Sequence, residues 1–167
     1  DFSWQTTLTY TKNKNKVLKL SEGKSFVEDG KYLIEEGSPL GQWFGQKALG
    51  IYATDEANAY IKNGDGSFGD RLVPVYQRDP NNYNNYIYGS NGKPVFSHYE
   101  TKGGQKYTGD VGQMTTAGSV SKGGDIIWDD LDHDGVIGDS DRRILGNGMP
   151  TWYMGWTNYL NYKSFSL

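Results

Sequence analysis

The stretch FSWQTTLTYT, residues 2–11, decides the fold that the rest of the chain has to accommodate. Most of its even positions carry apolar side chains, and its odd positions carry hydroxyl and amide side chains. A period of two is typical of a β-strand with one apolar and one polar face. The pattern fits a half-buried strand of a soluble antiparallel sheet, and it also fits a transmembrane barrel strand of about 9–11 residues. Aromatic residues near the ends of the apolar side favour the barrel.

The same alternation returns near the other end of the chain. One side carries Trp152, Met154, Trp156, Leu160 and Tyr162, and Asn158 is the one residue that does not fit this apolar side. The phase changes at residues 163–164, and a further strand is predicted from Phe165 to Leu167. Two-residue turns between long strands are typical of the periplasmic side of outer-membrane barrels, whose opposite side carries long loops.

A second informative stretch is DLDHDGVIGDSD, residues 130–141. Carboxylates occupy its first, third, fifth and twelfth positions, and a glycine occupies the sixth. This is the spacing of an EF-hand-like calcium loop, in which the seventh residue offers its backbone carbonyl. The predicted metal ligands are therefore Asp130, Asp132, Asp134, Val136 and Asp141. An aspartate-rich turn that binds nothing is the alternative, although three aspartates within five residues repel one another unless a cation or water separates them.

Two positions of this loop predict a modest affinity for calcium. Asp141 is shorter than the glutamate that usually closes such loops. Gly138 at the ninth position leaves that place to a water molecule, unless Asp139 serves instead. The metal is expected to be structural.

Composition limits the possible functions. The chain has 167 residues, a mean hydropathy of -0.73, 23 glycines and, despite its polarity, 13 tyrosines and 5 tryptophans. Glycine and aromatic residues together favour β structure with long loops. The net charge of -3 gives no footprint for nucleic acid, and the absence of cysteine excludes disulfides and thiolate metal sites.

The region between the two alternating ends is predicted to be a long, glycine-rich loop region, residues 21–149, with one or two short helices. A helix is expected over residues 55–61 because acidic residues lie in its first turn, and a short helical turn is expected over 139–145. Asn-Gly at 91–92 predicts a hairpin. Residues 103–124 are expected to be mobile.

Other motifs in the sequence give weaker evidence of a functional site. GDGSFG at 64–69 matches a dinucleotide fingerprint, but it follows a helical pattern and is interpreted as a loop. The tyrosines within residues 79–88 suit either a flexible loop or a sugar-contacting surface. No arrangement of Ser, His and Asp indicates catalysis, and the neighbours Asp129 and Asp130 would point to opposite faces of a strand. The chain is therefore not expected to be an enzyme.

Several segments resemble, in this order, the C-terminal third of SusC/RagA-type TonB-dependent outer-membrane receptors. They are residues 2–4, 13–17, 37–45, 50–56, 124–142 and 144–147. The block that runs from Gly124-Asp125-Ile126 through the aspartate-rich loop to Arg142 is the most specific, and the resemblance is weakest between residues 63 and 121. The chain departs from the family at two positions. It has His133 where the family often has Gly, and Gly138 where the family often has Asp or Asn. Both departures bear on calcium occupancy.

The resemblance implies a large β-barrel with an N-terminal plug in the outer membrane of a Gram-negative bacterium. It also implies import of an oligosaccharide or peptide nutrient together with a SusD-like surface lipoprotein. TonB would supply energy through parts of the receptor that this chain lacks. The chain is then an excised piece without a closed barrel: residues 1–20 form one barrel strand, residues 21–149 an extracellular region, and residues 150–167 a strand, a periplasmic turn and the start of the next strand.

A second class of function stays open from the sequence alone. The alternative is a soluble, calcium-stabilised glycan-binding module of a secreted protein, in which tyrosine and tryptophan side chains stack on sugars.

Overall fold

The computed structural model describes residues 1–166, which fold mainly as antiparallel β structure in two compact units. Unit 1 comprises residues 1–45 and the chain from residue 144 onward, and unit 2 comprises residues 46–143. Leu167, the last residue of the strand predicted at 165–167, lies outside the described residues. Among the described residues, no helix has the length and apolar character needed to span a membrane.

Within residues 1–166, twenty strands and three short 3₁₀ turns follow one another. The strands are β1 (Phe2–Lys12), β2 (Phe26–Glu28), β3 (Tyr32–Ile34), β4 (Gln42–Gln46), β5 (Ala48–Ile51), β6 (Tyr60–Lys62), β7 (Phe68–Arg71), β8 (Val73–Tyr76), β9 (Arg78–Asp79), β10 (Asn82–Tyr86), β11 (Phe96–Glu100), β12 (Lys106–Tyr107), β13 (Val111–Gly112), β14 (Thr115–Thr116), β15 (Ser119–Val120), β16 (Ile126–Trp128), β17 (Val136–Ile137), β18 (Arg142–Asn147), β19 (Trp152–Tyr162) and β20 (Phe165–Ser166). The 3₁₀ turns are Ser21–Gly23, Asp55–Ala57 and Asp139–Asp141.

The two long strands of unit 1, β1 and β19, pair with each other. Their antiparallel register runs without a shift from Phe2 opposite Tyr162 to Lys12 opposite Trp152. Strand β20 pairs with the other edge of β19 after a turn in which Lys163 adopts φ 54°. The two alternating strands and their two-residue turn are therefore confirmed.

Thr6 opposite Asn158 forms a polar step in the middle of the apolar face of this pair, and Lys12 opposite Trp152 lies at its end. Each side chain of the polar step accepts an indole N–H from the facing strand: Trp4 Nε1 donates to Asn158 Oδ1 at 3.1 Å, and Trp156 Nε1 donates to Thr6 Oγ1 at 2.7 Å. Asn158, which does not fit the alternation in the sequence, is therefore satisfied by a tryptophan of its own face.

A second sheet of unit 1 has the strand order β18-β4-β3-β2. Asn15 Oδ1 accepts the Leu40 N–H at 2.8 Å, and Gly148 N–H donates to the Gly41 carbonyl at 2.9 Å. Gly41 has φ 84°, and a Cβ there would lie 2.8 Å from the Met149 side chain. This close approach requires glycine.

Unit 2 is built from short strands around its own small core. Its sheets have the strand orders β7-β6-β13, β12-β11-β8, β5-β16, β15-β14-β17 and β9-β10. The central cluster is formed by Tyr52, Tyr60, Met114 and Ile127, with Phe68 packed against it. Among residues 1–166, every buried side chain belongs to unit 2.

Asn58 joins the parts of unit 2 that are far apart in sequence. It is fully buried, and its amide nitrogen donates to the carbonyls of Met114 at 2.9 Å and Ser121 at 2.7 Å. Its Oδ1 accepts the Met114 N–H at 2.9 Å. The side chain thus supplies the hydrogen bonds that buried backbone groups require.

Two helical expectations from the sequence are wrong in detail. The helix expected over 55–61 is a single 3₁₀ turn, because Asn58 bonds to distant backbone groups and Tyr60 enters a sheet. The helical turn expected over 139–145 stops at Asp141, and strand β18 follows because its residues pair with β4. Residues 103–124 contain the two-residue strands β12 to β15, and their expected mobility stays a prediction.

Two other expectations are confirmed. The Asn-Gly turn at 91–92 closes a hairpin in which the Gly89 N–H donates to the Lys93 carbonyl at 2.9 Å. The segment at 64–69 lies largely in the turn between β6 and β7, where the Asn63 N–H donates to the Ser67 carbonyl at 2.9 Å. It is not a strand-to-helix connection, so it lacks the context of a phosphate-binding loop.

Candidate metal centre

Three predicted ligands converge in unit 2. Asp130, Asp132 and Asp134 each place a carboxylate oxygen so that the three oxygens lie within 4.8 Å of one another. Asp130 is only 7% exposed, whereas Asp132 and Asp134 are exposed. The cluster therefore has one buried wall and one open side.

The loop backbone turns tightly between these aspartates. His133 and Gly135 have φ of 61° and 79°, a region that favours glycine. Asp132 Oδ1 accepts the Asp134 N–H at 3.4 Å, and Asp134 Oδ1 accepts the Val136 N–H at 2.7 Å. These local bonds hold the alternate carboxylates on one side of the turn.

Asp130 is electrostatically the most unusual member of the loop. Burial raises the pKa of its carboxyl group and the nearby Asp141 adds to the rise, while the Gly135 N–H on Asp130 Oδ2, at 3.0 Å, opposes it. Asp130 Oδ1 is buried without a hydrogen-bond partner among the described residues. A buried carboxylate oxygen without a partner is costly, and a bound cation would remove that cost.

Asp132 has the opposite shift. A hydrogen bond from the Ser140 hydroxyl is the main cause that lowers the pKa of Asp132, and the Asp134 N–H adds to it. Asp132 is therefore held in its charged form, which is the form that binds metal.

The other two predicted ligands lie at the end of the loop. Val136 begins strand β17, which pairs parallel with β14. Asp141 is fully buried, and its two oxygens accept the N–H groups of Leu131 and Gly138, each at 2.8 Å. Asp141 thus ties both ends of the loop together, and each of its oxygens keeps a further lone pair.

Residues far away in sequence hold the loop in place. The Phe68 N–H donates to the His133 carbonyl at 2.8 Å, the Thr115 N–H donates to the Gly135 carbonyl at 2.9 Å, and Gln46 Nε2 donates to the Gly138 carbonyl at 2.8 Å. A Cβ at Gly135 would overlap the Phe68 ring. Sequence reasoning missed these supports, because nothing in the chain near residues 46, 68 or 115 indicates a partner so distant.

Asp129, next to the first ligand, has a separate role. Its carboxylate forms an ion pair with Arg143, and its N–H donates to the Lys47 carbonyl at 3.0 Å. The two neighbouring aspartates are thus used in different contacts, and the loop base is fixed on both sides.

The donor set fits a hard cation. Calcium prefers carboxylate and carbonyl oxygens, and the loop offers three converging carboxylates, one of them with an unsatisfied buried oxygen. The residues that would hold the ion are those of the sequence prediction, with Asp130, Asp132 and Asp134 as the assembled part.

Comparison with known proteins gives the family. No profile of a known protein family matches the chain. "TonB-dependent receptor P39" of Formosa agariphila is 36% identical over 165 residues, which cover 98% of this chain and 14% of that protein. "TonB-dependent receptor P3" of the same organism is 24% identical over 176 residues, covering 100% of this chain and 12% of that protein.

The two relatives agree with the resemblance seen in the motifs. Both alignments run along essentially the whole chain, and both relatives carry the same designation. The chain spans about one-seventh of the length of the first relative. From one end to the other, this chain therefore corresponds to a segment of a TonB-dependent receptor.

Proposed function

We propose that the chain is part of a SusC/RagA-type receptor of the outer membrane, in which β1 and β19 are adjacent barrel strands. The observation that carries this proposal is their paired apolar face. Phe2, Trp4, Leu8 and Trp156 all lie on this face and are 60–68% exposed. Large apolar side chains so exposed need a non-aqueous surface, and a lipid bilayer supplies one.

The dimensions of the strand pair support the same proposal. Each strand has 11 residues. A barrel strand that crosses a bilayer at a tilt needs about 9–11 residues. The opposite face carries hydroxyl, amide and tyrosine side chains, among them Gln5, Thr7 and Asn161, as expected for the inner wall of a wide barrel.

The indole bonds to Thr6 and Asn158 support a lipid-facing position for this face. A polar group in the hydrocarbon layer is costly unless its hydrogen bonds are made within the protein. Since Trp4 and Trp156 supply donors to the two polar side chains near the middle of the face, the apolar band is not interrupted by unpaired amide or hydroxyl acceptors.

In this proposal residues 21–149 are extracellular and the aspartate-rich loop holds a structural calcium ion. The ion would neutralise the converging carboxylates and satisfy Asp130 Oδ1, and so stabilise a region that has few buried residues. A SusD-like lipoprotein and an oligosaccharide or peptide nutrient would meet the receptor on this side, and TonB would act through parts of the receptor outside this chain. The curated relatives favour this receptor over a secreted glycan-binding module.

The lipid-facing position can be tested with spin labels; this chain contains no cysteine, so only cysteines elsewhere in the receptor have to be replaced before labelling. In the intact receptor reconstituted in lipid, single cysteines replace Leu8 and Thr7, which point to opposite faces of β1. The label at Leu8 should relax with dissolved oxygen and the label at Thr7 with a water-soluble nickel chelate. Equal access of the nickel chelate to both positions would refute the membrane assignment.

Calcium binding is tested separately by thermal unfolding. Millimolar calcium should raise the Tm by about 5 °C or more, since an ion at about 100 times its Kd stabilises the folded state by ~2.7 kcal/mol. Asp134→Ala should abolish the rise. Asp110→Ala removes one exposed charge from the same unit outside the loop and should leave the rise intact. A wild-type Tm that calcium does not change would defeat this part of the proposal.

A further inference from the structure

Beside the metal loop, unit 2 contains a second feature that the receptor assignment does not use. It is an open cavity of about 350 Å³ between the β6–β7 hairpin and the start of the loop. Its walls include Leu49, Tyr60, Arg71 and Trp128, together with Asp130 and His133 of the loop. Volumes of roughly 300–1,000 Å³ with apolar walls and a few polar groups are typical of small-molecule sites.

Two of the carboxylates around this cavity are paired with cations. Asp70 accepts a hydrogen bond from Lys102 Nζ at 2.6 Å, and Asp129 is paired with Arg143. Asp130 also lines the cavity with one oxygen unpaired, and the calcium ion proposed above would satisfy it. Among residues 1–166, the guanidinium of Arg71 has no ion-pair or hydrogen-bond partner.

An unpaired guanidinium in a cavity is suited to a particular ligand group. Arginine presents a planar fork of N–H donors that matches an oxyanion of a carboxylate or sulfate in two parallel hydrogen bonds. Arg71 is exposed, but its backbone lies in strand β7 opposite Tyr60, which is only 7% exposed. The cation is thus carried by a strand that is paired in a sheet of unit 2.

The apolar wall indicates what carries the oxyanion. Trp128 is half-buried in strand β16 and lines the cavity together with Leu49. A flat indole beside polar groups suits the C–H face of a sugar ring, whose hydroxyls can then bond to the polar rim formed by Asp70 and Lys102. A peptide carboxylate would bind Arg71 but would not contact both the flat indole of Trp128 and the polar rim.

We propose that this cavity binds an acidic sugar unit, with its oxyanion on Arg71 and its ring against Trp128. The proposal deepens the proposed function, since it narrows the nutrient to a glycan that carries carboxylate or sulfate groups. The site itself lies within unit 2 and does not depend on whether the strand pair faces lipid.

The test is calorimetric titration of the 167-residue chain, kept in detergent micelles that cover the apolar face of β1 and β19. The probes are D-glucuronate, D-glucose 6-sulfate, D-glucose and N-acetyl-alanine. At least one of the two anionic sugars should bind in the millimolar range and at least about tenfold more tightly than D-glucose, because charge-assisted hydrogen bonds are lost with the neutral sugar. Whichever anionic sugar binds more tightly identifies the oxyanion.

Two variants test the role of Arg71 directly. Arg71→Gln should weaken binding of the anionic sugar about tenfold, and Lys62→Gln, which removes an exposed charge from the same hairpin outside the cavity, should change it less than twofold. Equal affinity for glucose and glucuronate, tighter binding of N-acetyl-alanine, or no binding at tens of millimolar would each overturn the proposal. These probe comparisons use the wild-type chain, so they decide the matter even if Arg71→Gln does not fold.

The outcome is distinguishable from that of the receptor proposal. A water-accessible label at Leu8 would refute the membrane position of the strands and leave the sugar titration unaffected. Failure of the titration would leave the label pattern unaffected.

Discussion

Unit 1 and unit 2 differ in where their large apolar side chains lie. In unit 2, Tyr52, Leu72 and Met114 are at most 4% exposed, and short strands enclose them. In unit 1 the longest strands of the chain leave Trp4 and Trp156 at 60% and 68% exposure. Unit 2 therefore has the elements of a self-contained core, whereas the long strand pair of unit 1 is regular in its hydrogen bonds but requires a surrounding apolar medium or neighbouring strands.

Their asparagines show the same difference on a smaller scale. Asn58 in unit 2 is fully buried and bonds to three backbone groups, whereas Asn158 in unit 1 accepts one indole N–H on an open face. Loss of the first should disrupt the packing of a folded unit. Loss of the second should matter only where water is excluded.

The largest expected effect comes from Asn58→Ala. It removes the side-chain partner of the Met114 N–H and of the Ser121 carbonyl, while the Met114 carbonyl keeps the Ser121 N–H at 3.1 Å. We therefore expect a loss of about 3 kcal/mol in the free energy of unfolding. Urea unfolding monitored by near-ultraviolet circular dichroism measures it. The matched variant Asn63→Ala removes a bond to Ser67 on an exposed turn and should cost less than about 1 kcal/mol. Similar losses for both would contradict the buried role of Asn58.

A smaller effect is expected from Gly135→Ala, which strains the aspartate-rich loop. Both Gly135 and Gly66 have positive φ, of 79° and 88°, so alanine at either position costs about 1–2 kcal/mol. Only at Gly135 would the new methyl group also overlap the Phe68 ring. We expect a further ~1–3 kcal/mol there, and a weaker calcium response. Equal destabilisation by the two substitutions would show that Phe68 does not press on the loop.

Alkaline pH should destabilise unit 2 through its buried tyrosine pair. The hydroxyls of Tyr52 and Tyr60 lie 2.9 Å apart, and burial raises the pKa of both above the usual value of 10.0. The folded state keeps protons that the unfolded state releases, so stability is full below about pH 10 and falls as pH rises, by ~1.4 kcal/mol per pH unit for each retained proton.

Urea unfolding between about pH 9 and pH 11 measures this dependence. Tyr52→Phe should flatten it, and Tyr83→Phe, at a residue that is 77% exposed, should not. If the free energy of unfolding of Tyr52→Phe falls with pH as steeply as that of the wild type, groups other than Tyr52 cause the alkaline destabilisation.

The smallest effects are expected on the strand pair of unit 1. Trp4→Phe and Trp156→Phe each leave one polar acceptor without its indole, which should cost about 1 kcal/mol in lipid. Trp152→Phe, where the indole stacks on Tyr10 at 6.2 Å, is the matched control and should cost less. Thermal unfolding of the reconstituted receptor compares the three. The contrast between the two units would weaken if the control lost as much stability as the other two.

The sequence predicts the strands of unit 1 and the convergence of the aspartates at 130–134 better than it predicts the rest. Residues 2–11 and 152–162 show their period of two locally, and the loop at 130–141 carries its ligands in one short segment, so both are visible without a fold. Unit 2 depends on pairs such as Asn58 with Ser121 and Gln46 with Gly138, which are distant in the chain. The helix expected at 55–61 is wrong for that reason, since tertiary hydrogen bonds override a weak local preference.

The placement of unit 2 in the chain has an evolutionary consequence. The chain enters unit 2 after β4 and leaves it before most of β18, and these two strands are hydrogen-bonded neighbours in one sheet of unit 1. A segment whose two ends meet on adjacent strands can be lengthened, shortened or exchanged at little cost in closure entropy and without a change of strand register. This one segment can therefore diverge or be replaced in evolution while the strands that carry it keep their sequence pattern.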